Sequence, residues 1–249
     1  MQNSDELLLH RFLEFAEKAE AFHSLFYSDF LNLSEQQILF SDKALQGVKL
    51  IGGYDLAERK IAIFGAESME EIDFSKAFTI LKIAPKQQKF ADVLSHRDIL
   101  GSVLALGIKR EMLGDILLKE NCAYLFARPK IAPYILENLE RVKHTSVTVE
   151  VLSALPQFLL EEPEERILIA ASDRVDALLC AAFPLSRKEA QTLILSGKVF
   201  LNGKEVTKTD ATIPESTILS ARGFGRFKFL RPVGSTRKGR FRFSVLFYT

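Results

Sequence analysis

The spacing of apolar residues along the first quarter of the chain changes from helical to strand-like. Residues 4–31 predict a helical start, because apolar residues recur there at helical spacing: Leu8, Phe12, Phe15, Ala19, Phe22 and Phe26. Ser34, with Glu35 and Gln37, predicts the start of another helix. Residues 48–65 then contain two short apolar runs, VKLIGG and KIAIFG, on either side of YDLAER, which predicts a β-hairpin with a longer loop.

The next stretch, from residue 78, alternates apolar runs with helical patterns. The runs are FTILKIA, GDILL, AYLFA and SVTVEVL. A helical pattern over 90–106, a turn at Asn121 and a helix opened by Pro129 separate them. The resulting order, βαββαβ, is typical of the ferredoxin-like fold that RRM-type RNA-binding domains also use. The aromatic pattern of a working RRM is not visible, so the order predicts a fold and not a function.

The last third predicts two helices and then a small antiparallel sheet. The first helix has an apolar face, is capped by Asp173 or Ser172 and ends at Pro184. That face comprises Val175, Leu178, Leu179 and Ala182. Ser186 and Glu189 have the spacing of a capping box, which predicts the start of a second helix.

A tight hairpin and three further strands follow the second helix. Gly197 is expected to end that helix, and Asn202-Gly203 lies between two strand-like runs, VFL and KEV, as in a two-residue hairpin turn. Strands are predicted at 217–222, 226–230 and 240–247. Charged and aromatic residues alternate in the last two, which predicts a basic face of Arg226, Lys228, Arg240 and Arg242 opposite an aromatic face of Phe227, Phe229, Phe241 and Phe243.

These patterns predict an α+β protein with several regions. A change of character at LSALPQFLLEEPEER, with two prolines and an acidic cluster, indicates a boundary. The predicted regions are 1–75 (helical segment and hairpin), 76–155 (ferredoxin-like, RRM-like domain), 156–171 (linker) and 172–249 (C-terminal domain).

Charge is distributed unevenly along the 249 residues, although the formal net charge is only +1. Residues 172–249 hold 14 Lys and Arg against 6 Asp and Glu, a net of +8, whereas residues 1–171 hold 19 against 26, a net of −7. No acidic residue follows Glu215. Such asymmetry favours a polyanion-binding module attached to a carrier, because clustered cations repel each other unless an anion is bound.

The C-terminal segment resembles the S4 domain, an RNA-binding module of a small-subunit ribosomal protein, tyrosyl-tRNA synthetases and some pseudouridine synthases. The resemblance covers about residues 172–230 and lies in the stretches RVDALL, SRKEAQTLILSGKVFLNGKEVTKTDATI and ILSARGFGRF. The usual Gly-Asp before the last strand is replaced by Glu215-Ser216. Such domains place the second helix and adjoining strands against RNA, so the resemblance implies these contacts: Arg174, Arg187, Lys188, Gln191, Lys198, Lys204 and Arg222. Arg226 and Lys228 of the basic strand face are added to them.

The whole chain is similar to the YlmH family of bacterial S4-domain proteins. The similarity rests on LSHRDILGSVLALGIKREMLGDILL, followed by the acidic linker and the S4 domain. It implies association with the large ribosomal subunit, rescue of stalled nascent chains and, through gene neighbourhood, a link to cell division. Within this segment, a second polar patch is expected, in which His96 and Asp98 fix cations that contact RNA: Arg97, Lys109 and Arg110. The alternative is a structural network of capping and turn residues.

The expected function is non-enzymatic binding of structured RNA, either ribosomal RNA or tRNA, on the large ribosomal subunit. No P-loop, dinucleotide fingerprint or nucleophile beside a base is visible, and the HRD sequence lacks the other kinase motifs, so no catalytic residue or cofactor is predicted. Cys122 and Cys180 are expected to be small core residues, with no metal site. Without an apolar run of membrane length or a secretory signal, the chain is expected to be cytoplasmic, with no membrane or DNA partner. An RNA-modifying enzyme targeted by its S4 domain and a division-linked interaction protein remain alternatives.

Overall fold

The structure, a computed structural model, describes residues 2–55, 57–159 and 165–248. The chain divides into two units, Met1–Glu161 and Glu162–Thr249. No helix in the described residues is both long enough and apolar enough to cross a membrane.

In its described residues, the first unit combines eight strands, which form two sheets, with five α-helices. Its elements in chain order are α1 (Gln2–Phe22), β1 (Phe26–Leu31), α2 (Leu33–Leu39), β2 (Lys49–Ile51), β3 (Lys60–Phe64), α3 (Phe74–Ala77), β4 (Thr79–Pro85), α4 (His96–Ala105), β5 (Leu113–Lys119), β6 (Cys122–Ala127), α5 (Ala132–Asn138), β7 (Arg141–Val142) and β8 (Thr145–Leu152).

The first sheet has the order β1-β3-β2, with all neighbours antiparallel. The predicted hairpin over 48–65 is confirmed by the pairing of β2 with β3. The prediction of helix through residue 31 is wrong for β1, since α1 ends at Phe22 and His23 takes a positive φ of 47°. The reason is tertiary: β1 pairs with β3, from Phe26 opposite Phe64 to Leu31 opposite Lys60.

The second sheet has the order β5-β6-β4-β8-β7. Strands β4, β5, β6 and β8 are the four strands of a βαββαβ unit, and they pair in the antiparallel order of the ferredoxin-like fold. The predicted fold is therefore confirmed. Glu120 and Asn121 both have positive φ and form the turn between β5 and β6. The helix expected to open at Pro129 begins three residues later, at Ala132, with a proline in its first turn.

The layers of the first unit follow from three apolar clusters. Helices α4 and α5 cover one face of the second sheet, where Ile99 and Ile135 pack with Leu81 and Leu125. The first sheet covers the opposite face. Helices α1 and α2 in turn cover the outer face of the first sheet. The predicted regions 1–75 and 76–155 therefore share one core, because each sheet needs the other to bury an apolar face.

The second unit is a six-stranded antiparallel sheet with two helices. Its elements are β9 (Glu165–Ala170), α6 (Val175–Ala182), α7 (Arg187–Leu195), β10 (Val199–Leu201), β11 (Lys204–Glu205), β12 (Thr217–Ala221), β13 (Gly225–Ser235) and β14 (Phe241–Tyr248), and the sheet order is β11-β10-β12-β13-β14-β9. Both helices pack on one face of the sheet. That core joins Leu178 of α6 and Ile194 of α7 to Leu219 and Phe227 of the sheet.

The predicted linker 156–171 is too long at its C-terminal end, because Glu165–Ala170 forms the edge strand β9. This strand pairs with β14 and buries Leu168 and Ala170. Its partner lies more than seventy residues further along the chain, so no local pattern indicates the pairing. Residues 160–164 of that linker, with part of its acidic cluster, lie outside the described residues.

Helix starts and turns of the second unit agree with the local sequence, with one exception. The capping box of Ser186 and Glu189, the left-handed Gly197 and the positive φ of both Asn202 and Gly203 are confirmed. The cap of α6 is wrong, because its N-cap is Arg174 and no side chain caps it. A loop acts instead: the Val175 N–H donates to the Ala211 carbonyl at 2.8 Å.

The aromatic face of the last two strands is confirmed for three of its four members. Phe227, Phe229 and Phe243 are buried, whereas Phe241 is 46% exposed. Arg240 precedes β14 and lies in a turn. The alternation fails here because β13 has two irregularities in its pairing with β14, one after Phe229 and one after Pro232. Both cysteines are free: Cys122 is buried, as predicted, whereas Cys180 is only partly buried and packs against the apolar core of the second unit.

Candidate nucleic-acid interface

A buried carboxylate organises the cations of the second unit. Asp176, in the first turn of α6, has no exposed surface. Arg174 donates to it through Nε and one Nη, each at 3.1 Å. Arg187 Nε, at 3.3 Å, and Gln191 Nε2, at 3.4 Å, donate to the same carboxylate from α7. The three predicted contact residues Arg174, Arg187 and Gln191 are thus brought together by one aspartate.

The charge of Asp176 is retained in this environment. Burial raises the pKa of its carboxyl, but the hydrogen bonds from Arg174 and Gln191 and the positive charges of Arg174 and Arg187 outweigh burial, so the pKa lies below its ordinary value. The carboxylate therefore neutralises one of two arginines and holds both in place. The arrangement leaves one net positive charge, with 61% of the Arg187 side chain exposed to solvent.

Helix α7 presents a basic surface to solvent, which we define as Arg187, Lys188 and Gln191 and call the α7 surface. Ala190 and Ile194 occupy the buried side of the helix. Gln191, four residues after Arg187, lies on the same side of the helix as Arg187, and Lys188, the next residue in the chain, is exposed at the same end. The Ser186 side chain caps the helix, and the Ser186 N–H donates to the Glu189 carboxylate at 2.8 Å, which fixes where that surface begins.

Three other predicted contacts lie on the sheet face that the helices leave uncovered. Directly opposed residues of neighbouring strands share a face, and Arg226 opposes Ser220, which opposes Phe200. Lys228, two residues on, shares that face. The Arg222 guanidinium lies 4.7 Å from the centroid of the Phe200 ring, a cation–π contact on the same side.

The nine predicted contacts therefore do not form one surface. Lys204 opposes Leu201, whose side chain packs in the helix-covered core, so Lys204 belongs to the helix side with Arg174 and the α7 surface. Arg222, Arg226 and Lys228 face the other way. Lys198 directly precedes β10, and its carbonyl accepts from the Arg222 N–H at 2.9 Å.

The second polar patch is not assembled as predicted. Asp98 closes a capping box with Ser95 and pairs with Lys143, with 2.7 Å between Nζ and the carboxylate. The Lys143 hydrogen bond is the largest of the causes that lower the pKa of Asp98 to about 2. Asp98 therefore serves a helix start and a neighbouring turn rather than fixing Arg97. His96 and Arg97 are exposed on the first turn of α4.

Arg110 points into the protein and is not available to phosphate. Its Nη1 donates to the carbonyls of Leu113 at 2.6 Å and Gly114 at 3.2 Å. Burial is the main cause that lowers its pKa to about 10. Lys109, by contrast, is exposed and lies 3.8 Å from Glu111. Of the predicted cations, Arg97 and Lys109 remain on the surface. Asp98 and Arg110 instead fit the alternative of a structural network of capping and turn residues.

The RRM-like sheet lacks the open face with which an RRM stacks on bases. Phe126 of β6 and Ile80 of β4 lie on the face opposite the helices, and both are buried against Phe30 and Ile61 of the first sheet. Tyr124, also on that face, is only 4% exposed. RNA bases therefore have no aromatic platform at these positions.

Sequence patterns do not identify several polar residues that hold the structure together. Asp115 is buried and accepts from the Tyr54 hydroxyl and the Glu58 and Arg59 N–H groups. The Arg59 guanidinium donates to the carbonyls of Leu113 and Phe30. Asp176 is another such residue, and its sequence position gives an indication of its role: it lies next to the apolar face of a predicted helix. The partners of Asp115 lie more than fifty residues away in the chain.

Two family models match the chain in separate segments. Residues 68–155 match a model described as the putative RNA-binding domain in YlmH. Residues 173–218 match the S4 domain. The second match contains Asp176 and the α7 surface, and it ends before β13 and β14.

The chain is also similar to known proteins over much of its length. The chain is 32% identical over 223 residues to the Bacillus subtilis (strain 168) protein named ribosome-associated protein quality control protein P2, covering 86% of this chain and 84% of that protein. A solved structure titled cell division protein ylmH from Streptococcus pneumoniae aligns with a TM-score of 0.48 and 24% identity, covering 60% of this chain and 91% of that one. With this identity to the Bacillus protein across most of both chains, and with both family models matched in order, the chain belongs to the YlmH family of S4-domain proteins.

Proposed function

We propose that this protein is a non-enzymatic RNA-binding protein that acts on the ribosome, where it binds large-subunit ribosomal RNA, tRNA or both during quality control of stalled nascent chains. The observation that carries the proposal is the α7 surface, because a fully buried aspartate fixes the adjoining arginines in a domain that matches the S4 model. A buried carboxylate that only neutralised the arginines would leave nothing for a ligand, but Arg187 stays largely exposed.

Fixed cations suit a phosphate backbone. Each Lys or Arg that neutralises a phosphate releases condensed counterions, which gives affinity that falls as salt rises and depends little on sequence. Holding Arg187 in place before binding reduces the side-chain entropy that is lost when it contacts a phosphate. The Gln191 amide, oriented by the same carboxylate, adds a hydrogen-bonding group that reads local RNA shape rather than a base sequence.

Support for the ribosome as the place of action comes from the Bacillus relative, whose name specifies ribosome-associated quality control. The domain arrangement supports a division of labour in which the S4 domain supplies affinity and the first unit positions the protein or recruits a partner. The first unit has a net negative charge in sequence and no open RRM platform, so a broad phosphate-binding role fits the second unit better.

The charge-reversal variant Arg187→Glu with Lys188→Glu tests the α7 surface. We expect it to lose most RNA affinity and to lower the slope of log K against log salt by about 2, because two phosphate contacts disappear. Circular dichroism should show that the variant still folds, because Asp176 keeps its hydrogen bonds from Arg174 and Gln191, although losing the Arg187 contact lowers its Tm. Lys43→Glu with Lys208→Glu changes the net charge equally at two exposed positions and is the matched control.

Sedimentation of lysate in sucrose gradients tests the place of action. We expect the wild-type protein to move with the large subunit at low salt and to leave it at high salt. The double variant should stay at the top of the gradient under both conditions. Wild-type protein absent from every ribosomal fraction at low salt would contradict the ribosomal assignment and leave free tRNA as the RNA to test.

A further inference from the structure

A basic hairpin follows the segment that matches the S4 model. Strands β13 and β14 pair along their length, and residues 231–235 of β13 are all exposed. The turn that joins the strands is well defined: the Thr236 N–H donates to the Arg240 carbonyl at 2.7 Å, and the Gly239 N–H donates to the Thr236 carbonyl at 2.9 Å. Gly239 has a φ of 76°, which the turn requires.

This hairpin carries a dense cluster of cations without acidic partners. The five cations between residues 231 and 242 are Arg231, Arg237, Lys238, Arg240 and Arg242. All are exposed, and across the described part of the chain no salt bridge joins any of them to a carboxylate. Closely spaced cations repel one another. The turn at residues 236–240, which we call the tip, therefore gains stability when a polyanion binds to its cations.

An aromatic cavity lies at the base of the same hairpin. It has a volume of about 300 Å³ and includes Phe229, Pro232, Phe241 and Phe243 in its lining. All four of these residues belong to β13 or β14, and Phe241 is 46% exposed. Such a ring, beside two buried phenylalanines, offers a stacking surface for a planar ligand.

The polar groups of the cavity suit a nucleobase with an amino group. Its lining also includes the polar residues Ser172, Asp173 and Glu215, and the apolar Ile213 completes it. Carboxylates accept hydrogen bonds from exocyclic amino groups such as the N4 amine of cytosine. They repel phosphate, so the cavity itself is a poor site for the RNA backbone, whereas the tip is a good one.

From these observations we infer that the β13–β14 hairpin and its basal cavity form a second RNA-binding site, which takes an unpaired nucleotide with its base in the cavity and its neighbouring phosphates on the tip cations. The separation fits, since Arg240 directly precedes Phe241 and Arg237 lies four residues before it, a distance of at most about 14 Å even for a fully extended chain. The site rests on the proposed RNA-binding function and extends it to a part of the chain outside the S4 match.

The tip is tested with Arg237→Ala, Lys238→Ala and Arg240→Ala combined in the full-length protein. Binding is measured by fluorescence anisotropy with two probes, a stem–loop RNA with a cytidine loop and a blunt duplex of the same stem. We expect the slope of log K against log salt for the stem–loop to fall by about 2, at roughly 0.7 per single-strand phosphate contact. Lys43→Ala, Lys86→Ala and Lys208→Ala together remove the same charge from other exposed positions and should leave it unchanged.

The cavity is tested with Phe241→Leu, which keeps an apolar side chain against Phe243 and removes the ring face. We expect affinity for the stem–loop to fall about tenfold, because stacking of one base on an aromatic ring is lost, while affinity for the duplex stays the same. An equal loss for both probes would overturn the base-binding role.

The outcome separates this inference from the proposed function. One outcome is that wild-type protein binds the stem–loop and the Arg187→Glu and Lys188→Glu variant binds it more weakly, while the tip variant has the same salt dependence as its control. The hairpin site is then refuted and the α7 surface is retained. If wild-type protein binds neither probe, both are refuted.

Discussion

The substitution Asp176→Asn isolates the contribution of the buried carboxylate charge. The asparagine has the same size and keeps one acceptor, but Arg174 loses its bidentate partner, and Arg187 loses the only carboxylate that it contacts in the described part of the chain. Hydrogen bonds to a charged group contribute about 1.5–3 kcal/mol each, and leaving a charge without its buried partner costs about 3–5 kcal/mol. Because Arg174 and Arg187 are partly exposed and water compensates them, we expect a loss near the lower limit, about 3 kcal/mol.

Amide hydrogen exchange resolves the effect within one unit of the full-length protein. Peptides from α6 and α7 should exchange about a hundredfold faster in the variant, since each 1.4 kcal/mol is a factor of ten. Peptides from the first unit should not change. Asp210→Asn, at an exposed position of the same unit, is the control and should match wild type.

The pH dependence gives a second check with a defined sign. The pKa of Asp176 in the folded protein lies below its ordinary value of 3.8, so its stabilisation is present above that value and is lost as pH falls through the folded pKa. The difference between wild type and Asp176→Asn should therefore be complete at neutral pH and shrink in acid below 3.8. Equal exchange of α6 and α7 in both proteins at neutral pH would refute the role given to this carboxylate.

Two predictions concern the first unit. Gly53→Ala should destabilise it by about 3 kcal/mol, because the position has a φ of 91° and the new Cβ would lie 2.1 Å from the Phe126 ring. Thermal unfolding measures this loss. Gly47→Ala is the control and should leave stability unchanged, because the space around Gly47 is open. NMR titration should find the Asp98 carboxyl with a pKa of about 2, moving towards 3.8 in Lys143→Ala; an unchanged midpoint in that variant would contradict the ion pair. Because this pKa is depressed, the stabilisation from Asp98 is present above pH 3.8 and lost as pH falls through about 2.

Local patterns predict those elements whose formation depends on neighbouring residues. The capping box of α7, the Asn202-Gly203 turn and the apolar stripe of α6 lie where the sequence places them. Each depends on backbone geometry within a few residues, such as an N–H to be capped or a φ that glycine and asparagine tolerate. The βαββαβ order is of the same kind, because each element has its own apolar period.

Elements whose partners lie far along the chain are the ones that local patterns miss. Phe26 fits a helical stripe, yet its segment becomes β1 because β3 offers a strand edge. Glu165–Ala170 follows prolines and acidic residues, yet it becomes β9 because β14 lies open to pairing. In both cases, pairing and burial contribute more free energy than local propensity, which differs by only about 1 kcal/mol per residue.

The interface shows the same division. Its basic composition and its S4 motifs are properties of the sequence alone, and so is the family to which they point. Only the tertiary structure shows that Asp176 joins Arg174 to α7, that Arg226 and Lys228 lie on the opposite face, and that the first sheet covers Phe126. The physical reason is that side-chain direction within an element follows its local period, whereas the partner that each side chain meets depends on which elements pack together.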